Sequence, residues 1–361
     1  MRLKSKVLLA ILALASIGLA ACEPEARTGP QFVGGTNALL IEFMEDAPPD
    51  LIFDNRQTPF SIIMKVTNDG EFDTRDVQFR LSGINTVDFD NLELDKEYTS
   101  VITGNTKLGE DRIDGEQVYV TLSNNVEYKR SLIGGGTQDY PIIVTACYPY
   151  ATVASAAVCL QRDYLRGESE VCDPQTTRQI SVSGAPIQIE QSSQQAVGSD
   201  RLRVQYTFSK RTSARIFAPI ANAPRTERLG LDVSRNVRQD CHPSRTERIQ
   251  EEDWIHVMIN DNDHAGEMSC VGLLSKPDWE AYDVLSEIPQ TYATGRSIFV
   301  TSPDRPAAEG YVRLGADGNA RVTCTVTLPS GTTDSIGTFD VKAAYFVRDS
   351  AHHSLTVTHS G

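Results

Sequence analysis

The chain has 361 residues, with 48 acidic against 34 basic side chains and a formal charge of −14. That balance excludes a general nucleic-acid binder, which needs a basic face to displace phosphate counterions. Hydrophobic residues make up 40% of the chain, too many for a disordered protein, and the length allows about two domains.

Residues 1–22 read MRLKSKVLLAILALASIGLAAC. Arg2, Lys4 and Lys6 precede a nearly unbroken apolar run over 7–21. Such a run is short for a bilayer span and fits a secretory signal. It ends in Leu19-Ala20-Ala21-Cys22, which resembles the lipobox of prokaryotic lipoproteins. The resemblance implies cleavage before Cys22, a lipid on its sulfur, and a membrane as partner. Without Arg2, Lys4 and Lys6, 48 acids would face 31 bases, a charge of −17. Residues 22–31 are polar, with Pro24, Gly29 and Pro30, and read as a lipidated tether.

Strand signals dominate the remainder of the chain. Apolar or alternating runs at 37–45, 60–67, 77–81, 118–122 and 140–148 predict strands, with a turn at Asn68-Asp69-Gly70. Gly134-Gly135-Gly136 precedes a strand rather than a helix, so it reads as a turn and not a phosphate cradle. The cysteine-containing stretch before Ser183 reads as loop-rich. Further strands are predicted at 202–208, 254–259, 321–328, 341–347 and 354–358. One helix is predicted over 275–289, where Pro277 and Asp278 open it, Trp279, Tyr282, Leu285 and Ile288 share a side, and Pro289 ends it. The expected fold is therefore all-β: two tandem immunoglobulin-like antiparallel sandwiches at 32–183 and 184–361, with one short helix. A three-part division with 128–218 as a middle unit is the alternative.

Setting Cys22 aside leaves Cys147, Cys159, Cys172, Cys241, Cys270 and Cys324. An even count in an exported chain points to disulfides. Cys159 and Cys172 flank a polar loop and are the easiest to close. Cys270 with Cys324 could staple two strands or two sheets, which leaves Cys147 with Cys241. Three cysteines fall in each expected domain, so one bridge crosses the boundary or two thiols stay free. No C-x-x-C pair is present and zinc spacing is absent.

Residues 60–81, FSIIMKVTNDGEFDTRDVQFRL, are similar to the opening of CARDB-type and related immunoglobulin-like domains of prokaryotic surfaces. Through GGTNALLIEF, CYPYATVASAAVC, VTCTVTLPSG and VKAAYFVRDS, the chain resembles acidic lipoproteins of archaeal cell envelopes. The resemblance implies a structural or binding role at the surface and brings no catalytic motif.

A search for chemistry finds no G-x-S-x-G elbow, H-E-x-x-H or Walker loop. The neighbours His352 and His353 would point to opposite faces of an extended strand. The best ion candidate is the acidic run around Asp261 and Asp263, which offers oxygen donors for calcium but departs from the EF-hand pattern; it also reads as a polar turn between strands. Asp88 and Asp90 form a lesser candidate. From Asp200 to Arg248 there are 11 basic residues against 5 acidic ones, including Arg225, Arg228, Arg245 and Arg248 in a repeated Arg-Thr-Glu-Arg. This stretch reads as a docking strip for an acidic partner, including a copy of the chain itself, or as a solvated loop. The composite expectation is a lipid-anchored surface protein that acts through protein contacts, with no cofactor other than a candidate calcium. A glycan- or solute-binding lipoprotein using Trp254 and Trp279 is the alternative, and a hydrolase the third.

Overall fold

A computed structural model describes residues 31–132, 134–166, 169–175, 180–217, 252–261, 266–273 and 307–359. The first half of the chain gives β1 (Leu39–Phe43), β2 (Leu51–Phe53), β3 (Phe60–Asn68), β4 (Val77–Ser82), β5 (Phe89–Asp90), β6 (Asp95–Tyr98), β7 (Thr106–Leu108), β8 (Asp111–Ile113) and β9 (Gln117–Tyr128). It runs into a 24-residue strand, β10 (Thr137–Leu160). Next come β11 (Ile180–Val182), β12 (Ile187–Ala196), β13 (Arg201–Lys210), β14 (Arg215–Phe217), β15 (Trp254–Asp261), β16 (Glu267–Val271), β17 (Ala308–Arg313) and β18 (Asn319–Thr327). The last strand, β19 (Ser335–Thr358), again has 24 residues.

The alternating sequence acts as expected in β3. Phe60, Ile62, Met64 and Val66 are buried, and the residues between them are half-buried. β10 and β19 pair antiparallel along their whole length, from Thr137 opposite Thr358 to Leu160 opposite Ser335. At about 3.3 Å per residue this ladder is roughly 80 Å long. It forms the middle of a sheet ordered β17-β15-β19-β10-β4-β6, to which β11 adds on β10, and β2 and β14 add on β19.

Two four-stranded sheets pack on one face of that sheet. Tyr140, Tyr148, Tyr150 and Thr152 of β10 share this face by strand alternation. The sheet β1-β3-β9-β5 covers one half. There, the rings of Phe89 and Tyr128 lie 5.1 and 5.9 Å from that of Tyr140. The sheet β12-β13-β18-β16 covers the other half. There, Thr152 Oγ1 donates to the Ile187 carbonyl at 2.7 Å, and Ile187 N donates to Tyr345 Oη at 3.3 Å. The fold is all-β, two sandwiches built on one shared sheet.

The strands do not group at the expected 183/184 boundary. Val182 pairs with Ala154, and Thr356 to Thr358 pair in parallel with β2. The ladder runs through both sandwiches, since β4 pairs with Ile143 to Cys147 of β10 and β11 with Ala154 to Ala156.

A buried polar network marks the waist where the two sandwiches meet. Asn68 is fully buried at the end of β3. Its Nδ2 donates to the carbonyls of Phe72 and Ile102 at 2.8 and 2.9 Å. Its Oδ1 accepts from Gly70 N and Tyr150 Oη, so every hydrogen-bonding site of the amide is used. Tyr150 Oη also accepts from Phe72 N, and Tyr148 Oη accepts from Leu39 N. Burial raises the hydroxyl pKa values of Tyr148, Tyr150 and Tyr345, so they stay protonated at neutral pH. Beside them, the Glu71 carboxylate accepts from Val33 N, Gly34 N and Gly184 N at 2.6–2.9 Å.

Several local expectations change. The runs at 341–347 and 354–358 are one strand, because β10 satisfies the backbone across the polar residues between them. The strand expected at 140–148 runs on to Leu160, through residues read as part of the loop-rich stretch; both faces of that segment are buried, so it lacks the period-two pattern. Asn68-Asp69-Gly70 joins strands in different sheets instead of closing a hairpin. A Cβ on Gly70 would fall 2.0 Å from Tyr150 Oη, so close packing demands the glycine. Gly134 and Gly135 take the left-handed turn conformation, with φ of 83° and 74°. The helix expected at 275–289 lies outside the described residues. Among the described residues the only helical element is a 3-10 turn at Tyr164–Arg166.

Tyr150→Phe removes the hydroxyl that serves Asn68 and Phe72 and leaves a buried acceptor and a buried amide short of a partner. The expected loss is about 1–3 kcal/mol, read as a lower urea midpoint with unchanged far-ultraviolet circular dichroism. An unshifted midpoint would show that the network is energetically idle.

Candidate functional site

A concavity among the described residues lies at the β5–β9 edge of the first sandwich. It has a volume of about 680 Å³ and is lined by Asp90, Asn91, Glu93, Asn124, Asn125 and Lys129, among others. Strand β9 would normally exclude Asn124 and Asn125. They sit where the pairing of β9 with β3 changes register between Phe60 and Ile63, a bulge that re-aims side chains. Asn91 and Asn125 adopt positive φ values of 58° and 53°, which asparagine tolerates better than other side chains. Asn91 Nδ2 donates to the Asn125 carbonyl at 2.9 Å, and Ser61 Oγ donates to Asn124 Oδ1 at 2.7 Å.

The charge at the cleft is matched internally. Arg56 reaches Asp90 Oδ2 through Nη2 at 2.7 Å and Nε at 3.1 Å, and Lys129 Nζ reaches Oδ1 at 3.1 Å. These hydrogen-bonded cations hold the Asp90 carboxyl below the usual carboxylate range. That direction takes Asp90 away from proton transfer near neutral pH. The cleft can instead hold a neutral polar ligand, because its amides both donate and accept.

Sequence reading flagged Asp88 and Asp90 as oxygen donors, and the structure divides them. Asp88 is buried, accepts from Tyr140 Oη at 3.2 Å and pairs with Arg130 Nε at 2.5 Å, whereas Asp90 faces Arg56 and Lys129. Sequence reading missed Arg56, Asn91, Asn124, Asn125 and Lys129. The adjacent asparagines inside an otherwise alternating strand were the available signal.

Asp261 ends β15, in the shared sheet, while β16 belongs to a different sheet, so these two strands do not pair as a hairpin. Asp263 lies outside the described residues. Among the described residues no three His, Cys, Asp or Glu side chains converge as metal ligands. His359 Nδ1 lies 2.8 Å from Asp54 Oδ2, which also accepts from Leu132 N.

The arginine-rich stretch is partly described. Lys210 pairs with Asp253 at 3.0 Å, Arg211 with Glu190 at 3.4 Å, and Arg215 with Glu252 through Nε and Nη2. Arg215 holds the Glu252 carboxyl low. The linear excess of positive charge is thus offset in space over this part. Arg225, Arg228, Arg245 and Arg248 lie outside the described residues, as do Cys22 and Trp279. Trp254 is half-buried at the start of β15.

Two bridges are described. Cys159 bonds Cys172, closing a separation of 13 residues, worth roughly 3 kcal/mol in a chain-entropy account. Cys270 bonds Cys324, its direct partner across β16 and β18. Cys147 is also disulfide-bonded, and its expected partner Cys241 lies outside the described residues. Disulfides point to an oxidising, extracytoplasmic compartment. No described helix is long and apolar enough to cross a membrane. In comparisons with known proteins, the chain matches no family model and no curated relative.

Lys129→Ala removes one of the two cations on Asp90. The Asp90 carboxyl pKa is expected to rise toward the ordinary range in a carbon-detected NMR titration, and Arg56→Ala should raise it further, since Arg56 is the larger cause.

Proposed function

We propose that this is an exported protein, acylated at Cys22, that acts at the cell surface through contacts with other surface proteins or copies of itself. It carries out no reaction of its own. The observation that carries this reading is the signal-like segment ending at Cys22 ahead of a disulfide-bonded all-β body. A lipid on that sulfur would bury acyl methylenes at about 0.8 kcal/mol each. The resemblance to archaeal envelope lipoproteins and to CARDB-type domains supports the same role. Cys22→Ala is expected to move the protein from the membrane fraction to the soluble fraction and to abolish the acyl mass on the N-terminal peptide. Retention in the membrane would overturn the anchor.

The polar cleft supports a second reading, in which the lipoprotein holds a neutral glycan or solute. Its amides and internally paired charges favour an uncharged hydroxylated ligand over an ion. Titration calorimetry with neutral oligosaccharides should then give measurable heat that Asn124→Ala abolishes. Absence of heat across such a panel removes this reading.

A further inference from the structure

The point at which the folded body takes hold of its N-terminal segment bears on how the molecule meets a membrane. Val33 and Gly34 are clamped by Glu71, whose own N donates to the Gly184 carbonyl at 2.9 Å. Asn37 Nδ2 donates to Asp69 Oδ2 at 2.7 Å, and Leu39 N donates to Tyr148 Oη. Tyr148 and Tyr150 lie at the middle of β10, with twelve residues on either side of the gap between Tyr148 and Pro149. The N-terminal segment is therefore fastened at the waist, roughly 40 Å from either end of the long ladder.

The same waist carries a two-stranded sheet that is hydrogen-bonded to no larger sheet among the described residues. β7 and β8 pair only with each other, and a lone hairpin is marginal in water. It is rooted on the loop that binds the N-terminal segment: Arg112 Nη2 lies 3.4 Å from Asp69 Oδ1, and Asn105 N donates to the Gly70 carbonyl at 2.6 Å. Thr106 opposes Ile113 and Leu108 opposes Asp111, so Leu108 and Ile113 share one face. They are 53% and 50% exposed. Asp111 shares that face, and Lys107 and Arg112 on the other face balance Glu110 and Asp111 over the hairpin as a whole. On an acidic chain this hairpin is locally neutral and can approach an anionic surface at little electrostatic cost.

We infer that the waist, with hairpin β7–β8 foremost, is the surface that faces the lipid bilayer, so the molecule lies side-on with both ends away from its anchor. This rests on acylation at Cys22. Eleven residue-to-residue steps lead from Cys22 to Val33, a reach of at most roughly 40 Å and roughly 20 Å for a flexible chain. Standing the ladder on one end would need the tether at full stretch, against its chain entropy. Lying side-on needs no such extension and brings Leu108 and Ile113 to the headgroup region, where apolar area is covered.

The test uses the acylated full-length protein in phosphatidylcholine vesicles with a minority of phosphatidylglycerol and a headgroup acceptor dye. A fluorescent amino acid is placed singly at Leu108, at Val87 near one end, or at Leu165 near the other; the end positions are 57% and 77% exposed. Energy transfer is expected to be strongest from position 108, and weaker and comparable from 87 and 165. Ile113→Asp in the position-108 protein should reduce its transfer. Strong transfer from one end only, or equal transfer with and without Ile113→Asp, overturns the inference. Mass analysis of the N-terminal peptide separates the two claims: an unacylated Cys22 fells the anchor reading and this inference together, whereas an acylated protein standing on one end fells this inference alone.

Discussion

The antiparallel ladder between β10 and β19 is the constraint on which the rest of the molecule depends. Twenty-four residue pairs hold the middle of the chain against its end. Because the ladder passes through both sandwiches, neither has a private central sheet, and no linker separates them. A contiguous division of the chain fails for that reason. The late strand β19 supplies the first sandwich with residues that come after the whole of the second. Such pairing is distant in sequence, so its closure waits on loop entropy, and this places the fold among topologies that assemble slowly.

The waist shows how a long shared sheet is kept from opening between its two halves. The covering sheets end there, and backbone groups would be left unpaired if apolar side chains alone filled the space. Instead Asn68, Tyr148, Tyr150, Thr152 and Tyr345 meet the loose amides and carbonyls of β1, β12 and the 69–72 loop. A fully satisfied buried network of this kind specifies one arrangement, because any shift would strand several polar groups at once. Glu71 extends the same logic to the N-terminal segment, with three backbone amides on one carboxylate.

Charge behaves differently in space than in sequence. The acidic excess of the chain and the local basic excess after Asp200 both looked like long-range properties. Over the described part, Lys210, Arg211 and Arg215 meet carboxylates at 190, 252 and 253, all of which lie outside the basic stretch. At the cleft, Arg56 is brought across 34 residues to Asp90. Internal matching of this kind leaves binding to hydrogen bonds and shape rather than to net charge.

By itself, the sequence determined what repeats locally: the signal-like apolar run, the alternating runs that became β3, β4, β13 and β18, and the turn glycines before β10. Period-two alternation is written in neighbouring residues and needs no partner to be read. Tertiary structure alone decided which strands share a sheet, and it merged 341–347 with 354–358. Residues 149–160 could not be read as strand because burial on both faces erases the alternation. The cleft left only the adjacent asparagines of β9 as a trace, since Asn91, Asn124 and Lys129 come together only where the bulge in β9 brings them beside β5. The easy pairing of Cys159 with Cys172 was legible from spacing. The pairing of Cys270 with Cys324 was legible too, but only the sheet order decided that it joins neighbouring strands of one sheet and not two sheets.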